Sequence, residues 1–202
     1  MTKKSRSVSA QGHNQLRIIG GRWRSRVLRF PSIDGLRPTP DRVRETLFNW
    51  LQHDIPGARC LDLFSGSGAL GLEAVSRGAS EAVLVDASNA VTQQLKINLG
   101  LLGCQQVEVY CATALDWIRR SDPPNGTFDI VFLDPPFASE MLDETIRALA
   151  NSRLLSPTAC IYAESPLGAP APITPADWAL RREKKAGRVL SRLYQLGNFT
   201  EI

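Results

Sequence analysis

The chain has 202 residues, 43% hydrophobic and 22% charged, enough for one sizeable core and too short for two. Its four cysteines, Cys60, Cys104, Cys111 and Cys160, form no CxxC pair and only two histidines accompany them, so a cysteine-rich zinc site is excluded and no metal is expected. Residues 1–44 hold eleven Lys/Arg against two acids, Asp34 and Asp41, while the remainder is net acidic; a basic arm on an acidic domain is the footprint of a polyanion, with nucleic acid the leading partner.

Unpaired thiols point to a reducing, cytoplasmic compartment. There is no apolar h-region near the start and no run of 18 apolar residues, so neither a signal peptide nor a membrane association is expected. Residues 1–13 are polar and lack aromatic side chains, which predicts a disordered basic tail. From Leu16 to Phe30 apolar residues alternate with arginines around Gly20-Gly21, predicting a small basic β-hairpin. Pro38 and Pro40 then break the chain, Thr39 or Asp41 caps, and Val43, Leu47, Trp50 and Leu51 recur at helical spacing, predicting an amphipathic helix over roughly 41–52. Arg42 and Arg44 fall in its first turn, where the helix dipole disfavours cations, so an anionic partner explains them better than helix stability does.

Beyond Cys60, short apolar runs alternate with helical segments, the signature of βαβ units and a mostly parallel sheet. Strands are predicted at about 59–64, 82–86, 106–110, 129–133 and 158–163, and helices at about 68–77, 89–101, 113–120 and 140–151. Two final β-like runs, Trp178–Lys184 and Val189–Leu196, joined through Ala186-Gly187, predict a C-terminal β-hairpin. Trp117 and Trp178 read as packing residues.

The segment Leu61-Asp62-Leu63-Phe64-Ser65-Gly66-Ser67-Gly68-Ala69-Leu70-Gly71 ends a strand, opens a helix and contains G-x-G-x-x-G. Glycines there allow a tight turn and close approach of a ligand to the backbone. Asp86, twenty residues after Gly66 at the end of the next strand, is placed for ribose hydroxyls. Asp62 selects among nucleoside cofactors: its carboxylate repels a pyrophosphate and pairs with an ammonium, which favours S-adenosylmethionine over NAD.

Asp134-Pro135-Pro136-Phe137 follows the apolar run Ile130–Leu133, at the strand end where open α/β sheets place their ligand crevice. Two prolines fix φ and leave carbonyls free to accept. Such a loop suits an exocyclic NH2 group, with Asp134 and the Pro135 carbonyl taking its hydrogens and Phe137 stacking on the base.

These motifs together look like those of class I S-adenosylmethionine-dependent methyltransferases that methylate amino groups. Leu16-Arg17-Ile18-Ile19-Gly20-Gly21, then Arg22-Trp23-Arg24, and Arg37-Pro38-Thr39-Pro40-Asp41-Arg42-Val43-Arg44 running on to Leu51, sharpen the likeness. Over about 16–197 the chain resembles the bacterial 16S ribosomal RNA (guanine-N2) methyltransferase D family. The resemblance implies a Rossmann-like α/β fold with a seven-stranded sheet, methyl transfer to the N2 amino group of one guanine, and an assembled small subunit as substrate. It divides the chain into a tail (1–13), an RNA-binding hairpin and helix (14–52) and a methyltransferase domain (53–202), acting as a monomer. By resemblance, Asp62 and Phe64, Ser65, Gly66, Ser67 and Gly68 hold the methionine part, Asp86 with Ala87 the ribose, and Thr113 with Ala114 the adenine edge. Thr113 is a departure, since many such enzymes carry an acid there. Asp134, Pro135, Pro136 and Phe137 hold the guanine amino group. Arg17, Arg22, Arg24, Arg37, Thr39, Arg42 and Arg44 contact the RNA with Trp23 stacking on an unpaired base, and Lys184, Lys185 and Arg188 widen that surface.

Rival expectations are an adenine-N6 or protein-glutamine methyltransferase, a nonenzymatic RNA-binding module on the same fold, and an NAD-dependent enzyme. The basic hairpin disfavours a protein substrate, the intact acids disfavour lost chemistry, and Asp62 disfavours NAD.

Overall fold

The computed structural model describes residues 13–33, 39–121, 127–136 and 141–197. Arg37, Phe137 and the tail ahead of His13 lie outside the described residues. Strands β1 (His13–Arg17) and β2 (Val27–Pro31) pair antiparallel as a separate two-stranded sheet, Leu16 opposite Leu28. His13, assigned from sequence to the tail, thus begins a strand opposite Pro31. The chain does not reverse on Gly20-Gly21 alone: it runs through a 3₁₀ turn at Gly21–Trp23 and a left-handed Ser25, φ 69°.

Helix α1 (Asp41–Trp50) starts behind Pro40, whose carbonyl accepts from the Val43 and Arg44 amides, and no side chain caps it. The expected cap residue Thr39 is turned elsewhere, to Asp134. After it come β3 (Arg59–Asp62), α2 (Gly71–Ser76), β4 (Glu81–Asp86), α3 (Asn89–Leu102), β5 (Val107–Cys111), α4 (Ala114–Arg120), β6 (Phe128–Leu133), α5 (Met141–Ala150), β7 (Leu155–Pro166), β8 (Trp178–Ala186) and β9 (Val189–Leu196). Local chemistry explains the ends: the Ser88 hydroxyl accepts from Val91 N at the start of α3, Gly103 closes it at φ 62°, and Thr113 caps α4.

The strands form one sheet in the order β5-β4-β3-β6-β7-β9-β8, with β3 to β7 parallel and β9 antiparallel to both β7 and β8. Side chains alternate between two cores, as a two-residue period requires. Cys60, Leu84, Ile130, Phe132, Tyr162 and Leu193 pack with α1 to α3 on one face; Leu61, Val83, Val131, Leu133 and Ile161 pack with α4 and α5 on the other. Trp178 is buried against Tyr194, and Trp117 packs on Tyr110 and Phe128.

The N-terminal hairpin is bolted to the end of α2. At Gly21, φ +71°, an added Cβ would stand 1.7 Å from the Ser76 carbonyl oxygen, so only glycine permits the approach. The Ser76 hydroxyl donates to the Gly20 carbonyl at 2.6 Å and accepts from Trp23 N at 3.0 Å. Beneath this contact Glu73, fully buried, accepts from the Ile19 amide, from Arg77 Nε at 2.7 Å and from Arg44 at 3.4 Å.

Candidate active site

Strand order reverses between β3 and β6, and an open α/β sheet binds ligands outside the carboxyl ends of its strands at that switch point. Asp62, Asp86 and Asp134 stand at or just past the carboxyl ends of β3, β4 and β6, and register brings them together: Asp62 is opposite Phe132, two residues before Asp134. Asp62 is buried, with the Gly71 amide donating to Oδ2 at 3.1 Å. Burial pushes its carboxyl up to about 7, and Asp134 and Asp86 push the same way against the Gly71 and Phe64 amides.

The loop between β3 and α2 is longer than the sequence predicts, because positive φ at Gly66 (49°) and Gly68 (80°) keeps the chain out of helix until Gly71. Asp86 clips this loop to β4, accepting from Gly66 N at 2.9 Å and Ser88 N at 2.8 Å. Ser65 is tied down through Oγ to the Val85 carbonyl, Ser67 is buried and Phe64 half-buried. The result is a preset cradle of backbone between two acids, with exposed Ala87 at its rim. That donor set fits a cofactor carrying an ammonium group at one end and ribose hydroxyls at the other. At the end of β5, Ala114 is buried, and the Thr113 hydroxyl is committed to its helix, accepting from Asp116 N at 3.1 Å and donating to Asp116 Oδ2 at 2.9 Å. Asp116, unremarked in sequence, therefore brings a carboxylate to the edge where Thr113 replaces one.

Across the switch point, Asp134 is half-buried, Pro135 buried and Pro136 exposed. The Thr39 hydroxyl donates to Asp134 Oδ2 at 3.2 Å. Burial raises the Asp134 carboxyl to about 6, opposed by Thr39. On the neighbouring strand lies a carboxyl that sequence reasoning missed. Leu133 is in register with Ala163, so Glu164, within β7, stands one residue past that pair as Asp134 stands one past β6, in step with Phe132 and Tyr162 of the core that packs on α1. Glu164 is 3% exposed, and the Tyr162 hydroxyl donates to its Oε1 at 2.6 Å while sharing a 3.0 Å hydrogen bond with Ser191. Burial and then Asp134 lift its carboxyl to about 8, and burial drives Tyr162 above its ordinary range. The only sequence signal is an acid directly after a five-residue apolar run, Ala159–Ala163.

Arg17, Arg22, Arg24 and Arg42 are exposed, on the hairpin and on α1, and Lys184, Lys185 and Arg188 are exposed on the C-terminal hairpin, where Lys184 reaches Thr46 of α1 at 3.1 Å. Three expected RNA contacts are corrected. Arg44 is fully buried, bound to Asp41, Glu73 and the Thr39 and Arg17 carbonyls, so its place in the first turn of α1 answers a buried carboxylate and not a phosphate. Trp23 is buried beneath the Arg22 guanidinium, 4.3 Å from its ring centroid, and has no free face for a base. Thr39 is buried and serves Asp134. Among the described residues no cluster of His, Cys, Asp and Glu suits a metal, and no helix is long and apolar enough to cross a membrane.

A sheet of this order, with a glycine cradle and two acids on one side of the switch point and an Asp-Pro-Pro loop on the other, defines the class I methyltransferase fold. The family described as conserved hypothetical protein 95 matches residues 16–195. Ribosomal RNA small subunit methyltransferase D of Escherichia coli K12 is 50% identical over 184 residues, covering 91% of each chain, and that of Haemophilus influenzae 45% identical over 196 residues, covering 96% of this chain and 99% of the relative. The solved structure of E. coli YhhF superposes with a TM-score of 0.82 at 50% identity over 91% of this chain and 99% of that one. The chain belongs to the ribosomal RNA small subunit methyltransferase D family.

Proposed function

We propose that this chain transfers a methyl group from S-adenosylmethionine to the exocyclic N2 amino group of a guanine in 16S ribosomal RNA, within the assembled small subunit. Residues 14–52 act as the RNA-binding extension of a methyltransferase domain formed by 53–202. The observation that carries the reading is the position of Asp134: at the switch point beside the cradle, seated by Thr39 and followed by two prolines.

Asp62 would pair with the ammonium of the cofactor, the Phe64–Gly68 backbone would flank its methionine part and Asp86 would take ribose hydroxyls. Bound there, S-adenosylmethionine supplies an electrophilic methyl group. Asp134 and the Pro135 carbonyl accept the hydrogens of the attacking amine and stabilise the positive charge that develops on nitrogen. Thr39 holds the carboxylate at the angle this requires, and fixed alignment of nitrogen and methyl supplies much of the remaining acceleration. Arg42, with Lys184, Lys185 and Arg188, would offer phosphate contacts near this mouth, while Arg17, Arg22 and Arg24 would extend that surface along the hairpin, whose turn lies at the end of α2 and beside Gln106 ahead of β5.

The test is transfer of labelled methyl to naked 16S RNA, to small subunits lacking the modification, and to duplex DNA, side by side. The reading predicts label in assembled subunits well above either free nucleic acid; label in duplex DNA alone, or in none of the three, contradicts it.

A further inference from the structure

We propose that Glu164 is the second acceptor of the base-binding site and the residue that makes it select guanine, by receiving the N1–H of the base whose amino group Asp134 holds. The inference rests on the guanine-N2 reading and extends it to a residue outside the cofactor cradle and the Asp-Pro-Pro loop.

Two carboxyls one residue past the last paired residues of adjacent parallel strands are costly to bury unless something repays them. Asp134 has the Thr39 hydroxyl and Glu164 has Tyr162 on Oε1. Oε2 of Glu164 accepts no hydrogen bond among the described residues. Nor is it one of the sealed unpaired oxygens among the described residues, which belong to Thr145, Ser156 and Gln195, so Oε2 is the acceptor position that Glu164 has left to offer. Tyr162 and Ser191, the groups seated against Glu164, also line the cleft between α1 and the C-terminal hairpin.

The chemistry of base edges then decides what fits. In adenine the amino group stands next to the N1 acceptor, and in cytosine next to the N3 acceptor. In guanine alone the amino group has an N–H beside it, so N1–H and N2–H2 form an unbroken row of donors. Adjacent carboxyls match a row of donors and oppose an amino group flanked by a lone pair. Glu164 discriminates in this way only when ionised, since a protonated carboxyl would donate to that lone pair; donation from N1–H favours the ionised form and opposes the burial and the Asp134 charge that favour the neutral one.

The test uses full-length protein and small subunits whose 16S RNA carries either guanine or 2-aminopurine at the position the wild type modifies. 2-Aminopurine keeps the amino group but presents N1 as an acceptor. Wild type should prefer guanine in kcat/KM by at least about tenfold. Glu164→Gln, whose amide can donate to N1, should shrink or invert that ratio by at least about tenfold while cofactor Kd stays unchanged. Tyr162→Phe, which unseats Oε1 without removing a buried charge, should shrink it several-fold and gives the answer should the glutamine variant fail to fold. Equal loss on both bases, or an unchanged ratio, assigns Glu164 a structural role and overturns the proposal. Failure of wild type to form N2-methylguanosine on the guanine particle instead overturns the function on which it rests, so the two failures are distinguishable.

Discussion

In the function proposed above, a single carboxylate at Asp134 holds the amine and opposes its developing charge, while other residues hold the cofactor. Asp134→Ala should therefore leave S-adenosylmethionine Kd within about twofold and cut kcat by about a hundredfold or more, read by calorimetry and single-turnover methyl transfer. Equal loss of both would remove it from the acceptor site. Its pH dependence follows from the raised carboxyl: ionised above about 6, Asp134 accepts amino hydrogens, and protonated below that it cannot. The kcat/KM profile should accordingly fall by about tenfold per pH unit on the acid side of about 6. The positions of Asp62, Asp86 and Asp134 at strand ends were legible in the sequence because each closes or follows an apolar run, with the glycine loop after Asp62, the twenty-residue spacing from Gly66 to Asp86 and the prolines after Asp134 marking them. Thr39 and Glu164 were not, because their roles arise from contacts across 95 residues and from strand register, which no local pattern encodes.

Two sets of arginines that look alike in sequence lie in opposite surroundings. Arg22 and Arg24 are exposed on the hairpin, and replacing both by Ala should reduce the salt slope of subunit binding by about 2, roughly one per phosphate contact. An unchanged slope would take them off the phosphate surface. Arg44→Ala should instead leave that slope alone and destabilise the fold by about 3 kcal/mol, because Glu73 loses a buried partner. A melting temperature lowered by roughly 6–12 °C is the expected readout. Strand and helix positions were legible from periodicity to within a few residues. The late start of α2 was not, since left-handed Gly66 and Gly68 extend the loop through residues of good helical character. Nor was the packing of Trp23, which depends on how closely Gly21 approaches Ser76.

For the whole molecule, the site is a store of buried acid held against the preference of carboxylates for water. Glu164 titrates ordinarily near 4.5 and at about 8 in the fold, so the folded state holds its proton over that span while the unfolded chain has lost it. Its contribution to stability is complete below about 4.5 and declines as pH rises to about 8. Cofactor-free Glu164→Gln should gain in melting temperature relative to wild type from pH 5 to pH 8 and level off above, and a constant difference would mean the carboxyl is not held neutral. The cradle and the acid pair meet at the carboxyl ends of β3, β6 and β7, and the product released there identifies the reaction. The most direct measurement is the identity of the methylated nucleoside after wild-type protein and isotopically labelled S-adenosylmethionine act on small subunits lacking the modification, read by nuclease digestion and mass spectrometry. The account predicts N2-methylguanosine in 16S RNA as the labelled product; N6-methyladenosine, or label on a subunit protein, would contradict it.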